Sequence, residues 1–215
     1  MTTLYEPVTV HDWPAMRPGR RKDDPPTPIT TDVTNIQAIL DAADMTVHRD
    51  TFSGQATLTR DGETITLDDP TYSRLWLMVQ QSGLRASRAF VRDATEAISH
   101  ANGFDGAARF FSSLPEWDGT TRAETLLIDE LGADDTPYTR AVTRLFFACL
   151  VRRGLGMESK ADQIIILRGP QDLGKSTMLR LLIGERFYQE NLSLQAEPKE
   201  VLELTSGKLI VELAE

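Results

Sequence analysis

The stretch GPQDLGKST, Gly169 to Thr177, has the spacing G-x-x-x-x-G-K-S and follows the apolar run IIIL, Ile164 to Leu167. Residue types in this order suit the holding of a phosphate chain. Gly169 and Gly174 permit backbone angles that turn successive N–H groups inward as an anion-binding nest. Pro170, Gln171, Asp172 and Leu173 complete the loop between them. A helix beginning at Lys175 adds the positive end of its dipole. The Lys175 ammonium can then reach β- and γ-phosphates, the Ser176 hydroxyl can ligate Mg²⁺, and Thr177 offers a second hydroxyl toward the α-phosphate. ATP and Mg²⁺ are the cofactors this chemistry implies.

Such a loop needs an acidic partner that holds the metal through water and orients the attacking water. The last apolar run, KLIVELAE, carries two carboxylates, Glu212 and Glu215. Side chains alternate along a strand, so these two, three apart, point to opposite faces and only one meets the nucleotide. Glu215, at the carboxyl end where ligands of α/β sheets collect, is the favoured catalytic and metal-binding carboxylate, beside Ser176. Glu212 is the second candidate, because a carboxylate inside an apolar strand is costly to bury without a partner. The Asp172 carboxylate repels phosphate unless it turns outward.

The elements that must position these groups lie in a chain of 215 residues with a net charge of −9, 40% hydrophobic and 26% charged. That is the composition of an ordinary soluble fold, and its acidity argues against a generally nucleic-acid-coating surface. One cysteine, Cys149 in LFFACLV, excludes an internal disulfide and reads as a buried thiol. His11, His48 and His100 have no metal-ligand spacing. No basic-then-apolar leader opens the chain and no apolar run is long enough for a membrane span, so a cytoplasmic location without membrane contact is expected.

Six of the eleven prolines fall within residues 1–28, and residues 1–29 read as a flexible or extended tail. Residues 30–115 read as a small α+β domain. Asn35 can cap a first helix, a turn at Asp61-Gly62 joins two alternating strands, and Asp69-Pro70 opens a helix that ends at Gly83. Ser87 caps the next helix, with Phe90, Val91, Ala94 and Ile98 inward until Asn102-Gly103. Arg88 and Arg92 lie four apart on it, with Arg85 just before. A helix pair beside a hairpin is how winged DNA readers are built, so these arginines are candidates for phosphate contact; a solvated helix face is the plainer reading.

Residues 116–215 read as a helical collar and the first part of a sheet. RAETLLIDEL forms a helix closed by Gly132, and Thr136-Pro137 opens a longer one with Val142, Leu145, Phe146 and Leu150 inward. A strand DQIIILRG, the loop, a helix from Lys175 to Gly184, a short FYQEN segment, a helix after Pro198 and a last strand follow. Strands in near-continuous apolar runs that alternate with helices indicate a parallel sheet.

FFSSLPEWDGTTRAETLL, RAVTRLFFACLVRRG, the loop with its flanks, and SGKLIVELAE together resemble the virulence-associated protein E (VapE-like) family. The resemblance runs from about Phe110 to the end and, more weakly, from about Asn35. Its specific parts are Trp117, Asp118, Gly119 and Arg122 in W-D-G-x-x-R, the phosphate loop, and E-L-A-E. It implies an α/β P-loop NTPase fold related to helicase superfamily 3, ATP hydrolysis, and a homo-oligomeric motor coupled to DNA unwinding or replication of a phage or genomic island. In such proteins a further strand lies between the acidic strand and the loop strand. The sheet of this polypeptide is therefore expected to be incomplete at its C-terminal side, with weak ATP·Mg binding and negligible turnover. A P-loop kinase and a non-catalytic module that binds a replication partner are the alternatives. DNA-stimulated turnover distinguishes the motor from the kinase, and nucleotide binding distinguishes both from the module.

Overall fold

Short oxygen-bearing side chains set where the helices begin. Asp32 accepts from the Thr34 N–H at 2.9 Å and opens α1, Val33–Ala42. Asn35, expected in that role, lies inside the helix and is buried. Its amide donates to the carbonyls of Ala15 and Ile29 at 2.7 and 2.9 Å, and its Oδ1 accepts from the Ala15 N–H at 3.0 Å. The side chain is spent on the preceding segment, so the cap moves to the aspartate before it. Asp68, one residue earlier than expected, caps α2, Asp69–Gln81, through the Thr71 N–H. Ser87 caps α3, Arg88–Ala101, through the Phe90 N–H at 3.1 Å.

The computed structural model describes residues 5–157 and 163–213, and the chain divides into two units, Met1–Phe104 and Asp105–Glu215. In the first unit β3 (Thr46–Asp50), β4 (Ala56–Arg60), β5 (Glu63–Thr66) and β6 (Gly103–Phe104) form one sheet in the order β5-β4-β3-β6. The Asp61-Gly62 turn joins β4 to β5 as expected, with φ of 52° and 80°. The parallel strand β6 beside β3 is an addition that the sequence pattern did not signal. Ile36, Ile39, Leu40, Leu58, Leu75 and Met78 lie in the buried core between the sheet and the three helices. Glu96 accepts hydrogen bonds from Arg49 and from the Tyr72 hydroxyl, which ties α3 to β3 and α2.

The Pro-rich segment is not a free tail over its described residues. Tyr5, Val8, Val10 and Trp13 pack on the core, and the Val8 N–H donates to Ser82 Oγ at 3.0 Å. Met16–Arg17 (β1) pairs antiparallel with Thr27–Pro28 (β2). Scattered apolar residues without periodicity found a surface to cover, which local patterning cannot register.

The second unit starts at Asp105 rather than at residue 116, because α4 (Gly106–Ser112) belongs to it. Phe110 of α4 packs against Phe187 in a tilted ring pair, centroids 5.1 Å apart. Helix α5, Leu126–Leu131, is shorter than expected and ends at Gly132. Thr136 caps α6, Pro137–Gly154, whose buried positions are Thr143, Leu150 and Gly154; Leu145, expected inward, is 40% exposed, and Cys149 is only half-buried. Gly154 permits close approach, since a Cβ there would run into the Phe111 ring and lie 3.1 Å from Leu209.

Beyond α6 come α7 (Lys175–Ile183), a single helical turn Glu185–Phe187, β7 (Tyr188–Leu192), α8 (Pro198–Thr205) and β8 (Ile210–Leu213). Strands β7 and β8 are parallel, joined through α8. The strand expected before the loop is a correction: residues 163–168 join no ladder, and Ile164 and Ile166 are 72% and 77% exposed. A strand exists only with a partner, and no described strand lies beside these residues. No described helix is long and apolar enough to cross a membrane.

Candidate functional site

Helix α7 begins at Lys175, after a turn whose shape depends on Gly174. At φ 83° Gly174 occupies the left-handed region, where a Cβ would be strained, and it has no side chain to cap the helix. Asp172 also has positive φ, 61°, which aspartate tolerates better than most residues, and it is exposed. Residues 171 and 172 form a hydrogen-bonded turn immediately ahead of the helix. The Lys175 ammonium folds back over the turn and donates to the carbonyls of Gly169 and Pro170 at 3.2 and 2.8 Å. Gly169 lies close against Leu173, 3.1 Å from where its Cβ would stand. Gln171 and Thr177 are exposed.

Ser176 Oγ donates to Glu212 Oε1 at 2.8 Å. Glu212 Oε2 accepts from the Tyr188 hydroxyl. Glu212 of β8, the second of the two candidate carboxylates, meets Ser176; Glu215, the favoured one, lies outside the described residues. Glu212 is half-buried, and its cost of burial is offset by two hydroxyl donors, one per oxygen. Burial, and then the neighbouring Glu212 carboxylate, push the Tyr188 phenol well above its ordinary pKa, so it remains a proton donor. Tyr188 went unnoticed in the sequence, where FYQEN reads only as a short link. Its signal was available: a buried aromatic opening a strand must find a partner for its hydroxyl.

Other contacts fix this geometry. Lys208 Nζ donates to the carbonyls of Arg186 and Tyr188 at 3.0 and 3.1 Å, and the Leu209 N–H donates to the Phe187 carbonyl at 2.8 Å. Arg153, at the end of α6, donates to the Lys208 and Thr205 carbonyls at 2.6 and 3.1 Å. These bonds lock β8 beside β7 and so hold Glu212 opposite the start of α7.

Trp117, Asp118, Gly119 and Arg122 form a separate exposed loop. Arg122 grips both Asp118 oxygens, at 3.0 and 2.7 Å, and the Trp117 indole donates to the Thr120 carbonyl at 3.1 Å. Hydrogen bonds from Arg122 and the Thr120 N–H hold the Asp118 carboxyl far below its ordinary range. In the first unit Arg85, Arg88 and Arg92 are all exposed, and Arg92 is engaged within the fold. Its guanidinium pairs with Asp69 at 2.9 Å and covers the Tyr72 ring at 5.1 Å. The described residues hold no cluster of three or more His, Cys, Asp or Glu side chains able to bind a metal by themselves.

Residues 111–215 match the family model of the virulence-associated protein E-like domain. The weaker resemblance upstream of Phe110 is outside that match. No curated protein matches the chain.

Proposed function

We propose that the loop Gly169–Thr177 and Glu212 form an ATP·Mg²⁺ site within the virulence-associated protein E-like domain, and that the site belongs to a homo-oligomeric motor acting on DNA. The observation that supports this most is the convergence of three features. They are the Lys175 ammonium, a turn with Gly174 in the left-handed region that opens a helix at Lys175, and a Ser176 hydroxyl bonded to a strand carboxylate. A phosphate chain offers acceptors to all the donors at once. Its oxygens can replace the Gly169 and Pro170 carbonyls at Lys175 Nζ, a charge-assisted exchange that favours the anion.

The oxygen donors fit Mg²⁺, which takes one or two protein oxygens together with waters and phosphate oxygens. Ser176 Oγ would offer a lone pair to the metal while its hydroxyl hydrogen remains directed at Glu212 Oε1. Bound there, the ion supplies charge withdrawal from the phosphates. Glu212 holds a water by hydrogen bonding and orients it for attack on the terminal phosphate.

Titration with a fluorescent ATP analogue in the presence of Mg²⁺ tests the site. Lys175→Ala weakens binding on the order of ten- to a hundredfold, the scale of one charged hydrogen bond. Equal binding by wild type and variant contradicts the reading. The DNA part rests on the family resemblance and on the exposed Arg85 and Arg88. Reversing both charges lowers affinity for single-stranded or duplex DNA and flattens its salt dependence; unchanged affinity removes these residues from any DNA contact.

A further inference from the structure

The register of β7 on β8 sets Tyr188 opposite Ile210 and Gln189 opposite Val211. Glu212 is two residues beyond Ile210, so it shares the face of Ile210 and lies diagonal to Tyr188. That diagonal brings the Tyr188 hydroxyl onto Glu212 Oε2 while Oε1 receives the Ser176 hydroxyl. A carboxylate on a flexible side chain has a broad terminal torsion and turns readily when only one oxygen is held. With both held, its plane and the direction of the remaining lone pairs on Oε1 are fixed.

Tyr188 is itself anchored. It is 5% exposed, its carbonyl accepts from Lys208 Nζ at 3.1 Å, and the preceding residue Phe187 packs against Phe110. The phenol therefore has little freedom to follow the carboxylate if Glu212 moves. The constraint runs chiefly from Tyr188 to Glu212, while the Tyr188 hydroxyl also lies within hydrogen-bonding reach of Ser176.

We propose that Tyr188 is a positioning residue for Mg²⁺, fixing Glu212 so that Oε1 and Ser176 Oγ present a preformed pair of oxygens to the metal side of the nucleotide. The inference rests on the ATP·Mg²⁺ reading of the loop and adds to it the residue that tunes the metal requirement. Tyr188 touches neither nucleotide nor metal. Its removal alters the concentration of Mg²⁺ needed, and leaves the Lys175 and backbone contacts to phosphate in place.

The experiment is a Mg²⁺ titration of fluorescent ATP-analogue binding by the full chain, with circular dichroism as the check of folding. In Tyr188→Phe the Mg²⁺ midpoint rises on the order of tenfold, as for loss of other residues that orient metal ligands. Analogue affinity at saturating Mg²⁺ stays within about twofold of wild type, as expected when the Lys175 contact is intact. Lys175→Ala, by contrast, binds poorly at every Mg²⁺ concentration. The cycle is closed with Glu212→Gln: in that background the shift caused by Tyr188→Phe is clearly smaller, because the main route through the carboxylate is already weakened. A folded Tyr188→Phe protein with the wild-type midpoint overturns the inference and spares the site. Equal shifts with and without Glu212 also overturn it, since they mark a general packing effect. If wild type and Lys175→Ala bind alike, the site itself falls and the inference with it.

Discussion

Ser176 and Glu212 come from elements 36 residues apart in the chain and meet at 2.8 Å. A bare carboxylate in that half-buried setting would be expensive, and the hydroxyls of Ser176 and Tyr188 are what make it tolerable. At the loop itself the informative residue is Asp172. It stands at positive φ and exposed in the loop proposed to receive phosphate. Asp172→Asn keeps the side-chain shape and the tolerance of positive φ while deleting the charge. We expect ATP·Mg²⁺ binding to tighten about threefold at low salt, the scale of one charge felt through solvent, and the gain to shrink as salt rises. Isothermal titration at two ionic strengths measures it. No gain at low salt would show that the carboxylate stays clear of the phosphates.

Helix caps carry the next scale. Asp68 holds the start of α2, and hydrogen bonds from the Thr71 hydroxyl and then the Thr71 N–H lower its pKa. The folded state thus takes up this proton less readily than the unfolded chain. The cap's contribution is fully present above the ordinary aspartate range, about pH 4, and is lost as pH falls through the lower folded-state value. Asp32 at α1 behaves alike, its pKa lowered by the Thr34 hydroxyl and amide. Asp68→Asn retains a capping oxygen but cannot titrate. The urea midpoint of the first unit should therefore fall less steeply between about pH 4 and pH 2 in the variant than in wild type. An identical slope would mean that the Asp68 cap does not contribute to acid sensitivity.

At the scale of the whole chain, what was legible in the sequence is what is local. Ser87, Thr136-Pro137, the Asp61-Gly62 turn and the helix starting at Lys175 each depend on a few neighbouring residues, and each is where its residue types put it. Asn35 misled because its amide serves Ala15 and Ile29, a tertiary use no spacing encodes. Apolar residues 164–167 misled because a strand is a relation between two segments, and apolarity states only one side of it. That Glu212 meets the loop could not be read from alternation, which was consistent with either carboxylate; it depended on the register of β8 beside β7. Tyr188 escaped for the same reason, since its partner is defined only once that register exists. The unit boundary at Phe104–Asp105 likewise follows from α4 packing through Phe110 and Phe187, a contact between distant residues. The central claim, that the turn before α7 receives the phosphates of ATP, is tested most directly by following backbone amide resonances during an ATP·Mg²⁺ titration. The amides of Asp172, Leu173, Gly174, Lys175 and Ser176 should shift together and saturate, and in Lys175→Ala the same response should need roughly ten to a hundred times more ATP. Resonances of that turn unmoved at millimolar ATP, or moved equally in the variant, would contradict it.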